Sequence, residues 1–130
     1  MTPELAALSA TALIHFATVV AAQRCLTRDV GTSGNVGTRE GVEDQLSTTT
    51  LRLRRATANF TENIGPFIIA VLVVVLAGKT STVTAVLAWL FVLTRALYVP
   101  AYGLAWVPWR SVIWSVGALA TVALLVLGLI

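Results

Sequence analysis

Three ionisable side chains interrupt the apolar stretches of this sequence: His15, Glu62 and Arg95. Within a membrane helix such a residue costs about 2.5 to 3.5 kcal/mol on insertion scales, so it normally faces protein or water. Glu62 belongs to a set spaced by four, three and four residues, which is Arg55, Asn59, Glu62 and Pro66. At the angular step of an α-helix this set occupies a sector of about 60°, so it predicts one polar stripe.

A second stripe follows in the next apolar stretch, where Arg95, Tyr98 and Tyr102 are spaced by three and four. Counted from the same end of the two helices, Glu62 and Arg95 each lie about 10 Å deep at the usual helical rise. Neighbouring antiparallel helices would bring them together, so we expect an ion pair between them, within one subunit or across an interface.

Two interpretations of these stripes stay open. In the first, the ion pair only joins two helices, with Asn59 adding an interhelical hydrogen bond. In the second, a water-accessible cavity accepts anions, which accounts for the further polar residues expected at the same depth. These residues are Arg55, Asn59, Asn63, Tyr98, Tyr102 and Arg110. Their number exceeds what one structural pair requires and favours the cavity.

The elements that must position these residues are four apolar segments, at 5–22, 56–77, 83–102 and 111–130. Each is near the roughly 20 residues that a helix needs to cross a bilayer. Hydrophobic residues make up 57% of the chain and charged residues 12%, against roughly 25% in soluble proteins. We therefore expect an all-α membrane protein, one four-helix domain over residues 1–130, with a 33-residue connection at 23–55.

Basic residues predict the orientation of the four helices. The first connection and the third loop carry arginines at 24, 28, 39, 52, 54, 55 and 110, whereas the opposite side has only Lys79. By the positive-inside rule, the first and third loops are cytoplasmic and both termini lie across the membrane. The first segment lacks a basic leading region and is predicted to be a retained helix. A bacterial inner membrane is preferred, from the Ala- and Val-rich composition.

Several kinds of function are disfavoured by the same sequence. The net charge of +3 is explained by topology and contact with anionic lipid, so nucleic acid is not an expected partner. One His and one Cys provide no ligand set for a metal, and Cys25 is expected to be a reduced, inert thiol. His15 is expected to pack within the bundle. Four helices without an internal repeat do not favour a transporter.

Two longer runs carry a resemblance to a known family. The run RLRRATANFTENIGPF, at 52–67, resembles the signature of the MAPEG family, the membrane-associated proteins in eicosanoid and glutathione metabolism. The run LTRALYVPAYGLAWVPWRSVIW, at 93–114, is similar to that family's third helix and its entry to the fourth. The resemblance implies a left-handed four-helix bundle and a homotrimer, with glutathione bound between neighbouring subunits.

The resemblance also implies roles for individual residues. Asn59, Glu62 and Tyr102 match positions of the glutathione site, and Arg95 matches a conserved arginine of the family's third helix. Arg110 and Ser111 match the pair beside the glutathione thiol. Arg24 is a looser match to a basic residue that reaches a neighbouring subunit's site. Bidentate carboxylate contacts are expected from Arg55, Arg95 and Arg110, and an amine contact from Glu62. Interfacial anchoring remains the alternative for Arg110, helix capping for Ser111, and membrane-interface positions for Tyr98 and Tyr102.

The sequence departs from the family pattern at two positions. Ala58 stands where family enzymes often carry a second arginine, and Tyr98 stands where one branch has a histidine. Two functions therefore remain. One is a glutathione-dependent transferase or peroxidase that acts on lipophilic electrophiles or hydroperoxides. The other is a non-catalytic accessory or structural subunit of a membrane complex; Arg110 and Ser111 favour the enzyme, and Ala58 favours the subunit.

Overall fold

A computed structural model describes all 130 residues and contains four long α-helices. Helix α1 spans Pro3–Val36, α2 spans Thr48–Leu76, α3 spans Thr82–Gly103 and α4 spans Trp109–Leu129. One short 3-10 turn lies at Glu43–Gln45, and there is no strand. Each long helix is apolar enough over its length to cross a membrane. The expectation of an all-α, four-helix integral membrane protein is confirmed.

The first two helices extend further than the apolar segments that predicted them. Most of the connection expected at 23–55 is helical, because α1 continues to Val36 and α2 already begins at Thr48. Loss of hydrophobicity after Ala22 marks the end of the apolar stretch, whereas helix formation continues because no Pro or Gly follows for several residues. The continuous helix breaks at Gly31, whose φ of 72° is open to glycine without steric cost.

A carboxylate on α1 fixes the start of α2. Asp29 accepts hydrogen bonds from the backbone N–H of Ser47 (2.9 Å), the Ser47 hydroxyl (2.9 Å) and the Thr50 hydroxyl (2.5 Å). Ser47 is the N-cap of α2 and accepts from the Thr50 N–H, so the three residues form one capping cluster. These hydrogen bonds, first of all that from Thr50, lower the pKa of Asp29 to about 2. We call this cluster the Asp29 clamp.

The core lies between the membrane-spanning parts of the four helices. Phe67 of α2 stacks on Phe91 of α3 with ring centroids 3.9 Å apart, and small residues on the other helices, such as Ala7, allow close packing around them. Helix α3 also approaches α4 closely at Gly117, where a Cβ atom would lie 2.6 Å from the Thr94 hydroxyl oxygen. The outer faces remain apolar, as expected of a bundle surrounded by lipid.

Candidate functional site

A cleft of about 610 Å³ opens at the arginine-rich end of the bundle, between α2, α3 and α4. This volume is within the usual range of small-molecule sites, about 300 to 1,000 Å³. Its lining residues are Arg55, Ala58, Asn59, Glu62, Tyr98, Tyr102, Arg110, Ser111, Trp114 and Ser115. Seven of the nine predicted site residues therefore lie in one place, which we call the polar cleft.

Helix α2 supplies one wall of the polar cleft from successive turns. Arg55, Asn59 and Glu62 occupy the predicted stripe, and Ala58 lies beside them in the same wall. The Arg55 and Glu62 side chains are exposed and make no ion pair within the chain. One wall therefore presents an unpaired positive charge on Arg55 and an unpaired negative charge on Glu62, with the Asn59 amide between them. A ligand that carries both carboxylate and amine groups would match that order.

Helices α3 and α4 supply the other walls through an aromatic and cationic contact. The Arg110 guanidinium lies 4.7 Å from the ring centroid of Tyr102, which is in turn 5.7 Å from the ring of Tyr98. At this distance a guanidinium is attracted to the ring face, so the contact orients Arg110 without neutralising it. Tyr98 is only 4% exposed and forms the floor, whereas Tyr102 and Arg110 are half-buried at the rim.

The first turn of α4 brings hydroxyl groups to the polar cleft. Ser111 lies in the wall but does not cap the helix, since the N-cap position is Pro108 and no side chain caps it. The backbone N–H groups of Arg110 and Ser111 already donate to carbonyls of Trp106 and Pro108. Among the first-turn residues that line the cleft, the donors that remain are therefore the Ser111 hydroxyl and the Arg110 guanidinium.

Three lining residues, Ala58, Trp114 and Ser115, were not among the predicted site residues. Trp114 and Ser115 follow Ser111 by three and four residues, the spacing that places side chains on one helix face. That spacing was readable in the sequence, although a tryptophan at the end of a membrane helix is also typical of an interfacial aromatic belt. The Ser115 hydroxyl donates to the Ser111 carbonyl at 2.9 Å.

Arg95 lies behind the polar cleft rather than in its wall. Its side chain is fully buried, with its guanidinium carbon 5.0 Å from the Tyr98 ring, 5.2 Å from the Phe91 ring and 5.9 Å from the Phe60 ring. Its one hydrogen bond runs from Nη1 to Asn59 Oδ1, at 3.4 Å. Nε and Nη2 have no partner.

The predicted ion pair between Glu62 and Arg95 is absent, and the chain has one salt bridge, between Arg28 and Asp29 at 3.6 Å. The two side chains point in different directions: Glu62 projects from the outer face of α2, whereas Arg95 projects from α3 into the interior, where aromatic rings enclose it. The second form of the prediction, a pair across an interface, meets the same obstacle. A fully buried guanidinium has no surface with which to meet a neighbouring subunit.

The two remaining polar residues of interest lie outside the polar cleft. Arg24 is exposed on α1 and does not line the cleft. His15 hydrogen-bonds through Nε2 to the Thr61 hydroxyl at 2.9 Å, and its ring meets the Phe60 ring edge-on at 5.0 Å. These contacts agree with packing of His15 within the bundle.

The fold and the cleft together define the class of this protein: a four-helix integral membrane protein with a polar cleft at one end of its helices. The model of the MAPEG family matches residues 3–130, so the chain belongs to the MAPEG family. It is thus a member of a membrane protein family of glutathione or eicosanoid metabolism. Comparison with curated proteins and with solved structures returned no match.

Proposed function

We propose that this protein is a glutathione-dependent membrane enzyme, a transferase or peroxidase acting on lipophilic electrophiles or hydroperoxides. The observation that carries the proposal is the lining of the polar cleft, which combines two arginines, one glutamate, an amide and several hydroxyls. Glutathione has two carboxylates, one amine and one thiol, and this donor and acceptor set fits those groups. Carboxylates match Arg55 and Arg110 as bidentate partners, and the amine matches Glu62.

The chemistry is assigned to the start of α4. Bound glutathione supplies a thiol that, once ionised, attacks an electrophile or reduces a hydroperoxide. A nearby guanidinium favours a thiolate over a thiol, because it stabilises the negative charge. Arg110 is free to do this, since its own contact is a neutral ring. The Ser111 hydroxyl provides a second donor to the sulfur.

Neighbouring subunits complete the site in this proposal. The polar cleft is open on one side, and several of its lining side chains remain exposed in the single chain, including Glu62, Ser111 and Ser115. A homotrimer of the kind that the family resemblance implies would close that side. Arg24, exposed on α1 and outside its own cleft, is the residue that we propose reaches a neighbour's site.

Calorimetric titration of the detergent-purified protein with glutathione tests this function. We expect saturable binding that Glu62→Ala and Arg110→Ala weaken at least about tenfold, a loss of about 1.4 kcal/mol. The matched controls are Glu40→Ala and Lys79→Ala, which remove exposed charges outside the polar cleft. Arg110→Ala should also raise the pKa of the bound thiol, followed by the ultraviolet absorbance of the thiolate. Absence of binding at millimolar glutathione would refute the proposal.

A second function is favoured by one observation, the position of Ala58 in the wall of the polar cleft. Where family enzymes often offer a second arginine, this wall offers a methyl group. A non-catalytic accessory or structural subunit of a membrane complex would need the bundle but not that charge. Turnover separates the two functions: the enzyme consumes glutathione with an aryl halide or a lipid hydroperoxide, whereas the subunit consumes neither.

We also propose that the polar cleft opens towards the cytoplasm of a bacterial cell, with both termini in the periplasm. Seven arginines on or near the α1–α2 connection and the α3–α4 turn, against Lys79 at the other end, support this orientation. Glu40→Cys in a Cys25→Ala background places the only cysteine at an exposed position of the α1–α2 connection. A membrane-impermeant thiol reagent should label it in inverted vesicles but not in intact spheroplasts; the reverse pattern would refute the orientation.

A further inference from the structure

Arg95 is the largest fully buried side chain, and it carries a charge that nothing in the chain neutralises. Removal of a cation from water costs several kcal/mol unless partners compensate it. Three aromatic rings provide part of that compensation, because a cation is attracted to the face of an aromatic ring. A residue kept in so costly a place needs an explanation beyond packing.

Asn59 is the one side chain that forms a hydrogen bond with Arg95. Asn59 Oδ1 accepts from Arg95 Nη1 at 3.4 Å and also from Asn63 Nδ2 at 3.4 Å. An arginine nitrogen can only donate, so the oxygen of the Asn59 amide must be the atom that faces Arg95. Asn63 Nδ2 further donates to the Asn59 carbonyl at 2.7 Å, which holds the second donor in place.

We propose that Arg95 is a positioning residue: from behind the wall it holds the Asn59 amide with the oxygen inward, so that the Nδ2–H groups face the polar cleft and bind a carboxylate. An asparagine side chain without such a partner presents either its oxygen or its nitrogen to a ligand. The buried charge of Arg95 fixes the orientation of the Asn59 amide, because the reversed amide would place its N–H groups against a cation. The polar cleft thereby gains hydrogen-bond donors beside Arg55, and Glu62 remains its only negatively charged side chain.

Space for this arrangement is provided from α4. A Cβ atom on Gly117 would lie 3.1 Å from Arg95 Nη2 and 2.6 Å from the Thr94 hydroxyl oxygen. The glycine therefore lets the guanidinium lie between α3 and α4, beneath Tyr98. This inference rests on the proposed function only through its ligand, since glutathione is the probe that supplies the carboxylates.

A double-mutant cycle measures whether Arg95 acts through Asn59. We expect Arg95→Met to weaken glutathione binding about tenfold in the otherwise unchanged protein, but less than about twofold in an Asn59→Ala background. A purely structural role would weaken binding equally in both backgrounds, and that result would overturn the proposal. Thermal unfolding of each variant reports separately on packing.

A spectroscopic measurement on the unsubstituted protein keeps the test independent of whether Arg95→Met folds. The chain has three asparagines, Asn35, Asn59 and Asn63, so ¹⁵N-asparagine labelling gives three side-chain amide pairs, which Asn→Ala variants assign. On saturation with glutathione the Asn59 pair should shift strongly while Asn35, far along α1, stays unchanged. Glutathione with esterified carboxylates should shift the Asn59 pair less.

Failure of this inference and failure of the proposed function give different results. Binding of glutathione with an unmoved Asn59 amide overturns the role of Arg95 and leaves the enzyme proposal intact. Absence of any binding refutes the enzyme proposal, and the ligand-free spectrum then decides on Arg95. There, Arg95→Met should shift and broaden the Asn59 pair but not the Asn35 pair; an unchanged Asn59 pair would overturn the inference.

Discussion

The two ends of the bundle each bury a charged residue of α1 or α3, and they treat it differently. Glu4 is fully buried where α1 and α3 begin, and its Oε1 accepts a 2.6 Å hydrogen bond from the Thr84 hydroxyl. Thr84 also forms a capping box with Ser81, and the partial positive charge of helix N-termini favours a carboxylate there. At the other end Arg95 has a single long hydrogen bond and no counter-charge.

The difference separates a structural polar residue from a functional one. Glu4 joins two helices, and the Thr84 hydroxyl satisfies its Oε1, whereas its Oε2 has no hydrogen-bond partner. A second cleft of about 400 Å³ adjoins it, but Glu4 is the only charged residue in its lining. Arg95 adjoins a cleft with three charged side chains and leaves two of its own donors unused. Of the three buried side-chain atoms without a hydrogen-bond partner, two belong to Arg95 beside the polar cleft and one is Glu4 Oε2 at the other end.

Gly117→Val should have the largest effect of the four changes, because it destabilises the end of the bundle that holds the polar cleft. The added side chain meets Thr94 and Arg95 in a space with no room for a Cβ atom, so we expect a loss of about 3 kcal/mol, the upper range for overpacking. Glutathione binding should be lost as well. Gly65→Ala is the matched control, since nothing lies within 4 Å of a Cβ atom there. Equal thermal stability of the two variants would contradict the close approach of α3 and α4.

Glu4→Ala should destabilise the opposite end of the bundle without affecting the polar cleft. Loss of the hydrogen bond to Thr84 should lower the free energy of unfolding by about 1 to 2 kcal/mol. Glutathione affinity should not change, because the polar cleft lies at the other end of the helices. Glu40→Ala, at an exposed position of the α1–α2 connection, controls for loss of charge alone. A drop in affinity for the Glu4 variant would show that the two ends are coupled.

Ala58→Arg should sharpen the difference between the ends by adding the charge that family enzymes often carry. A new guanidinium in the wall of the polar cleft should tighten glutathione binding about fivefold, equivalent to about 1 kcal/mol. Ala85→Arg, in the lining of the opposite cleft, is the control and should leave binding unchanged. Unchanged affinity in the Ala58 variant would mean that the ligand does not contact this part of α2.

Acid should loosen the Asp29 clamp, with the smallest effect of the four. The pKa of Asp29 is lowered to about 2 from a usual value of 3.8, so its contribution to stability is complete above pH 3.8 and is lost as the pH falls through 2. Between those values limited proteolysis of the α1–α2 connection should accelerate in the unsubstituted protein. The Asp29→Asn variant should be cleaved faster at neutral pH and should show no further acceleration in acid. If acid still accelerates its cleavage, a group other than Asp29 is responsible.

Much of the fold was predictable from the sequence, whereas only part of the polar cleft was. Four apolar segments of bilayer length identify four helices, and spacings of three and four identify the stripe that carries Asn59 and Glu62. The partners of a stripe depend on how each helix is rotated about its axis, which packing decides. Equal depth was therefore insufficient to pair Glu62 with Arg95, because α2 turns Glu62 outward while α3 turns Arg95 into a set of aromatic rings.

Helix length was underestimated for a related reason. Hydropathy reports where a chain leaves the bilayer, and the helix between 23 and 30 continues because its residues are compatible with helix and Leu26 is buried. The Asp29 clamp could not be read from the sequence, since it joins residues 18 and 21 positions apart through a turn that no spacing rule specifies. Trp114 and Ser115 were accessible to the spacing rule, since they follow Ser111 by three and four residues.

The Asp29 clamp also divides the molecule into a part that must be preserved and a part that can be engineered. It joins Asp29 to Ser47 and Thr50, so residues 30–46 form a segment that is closed at its base by hydrogen bonds. Lengthening such a loop costs little entropy, because the closure cost rises only with the logarithm of its length. A fluorescent reporter or epitope grafted there should leave the clefts at both ends of the helices undisturbed.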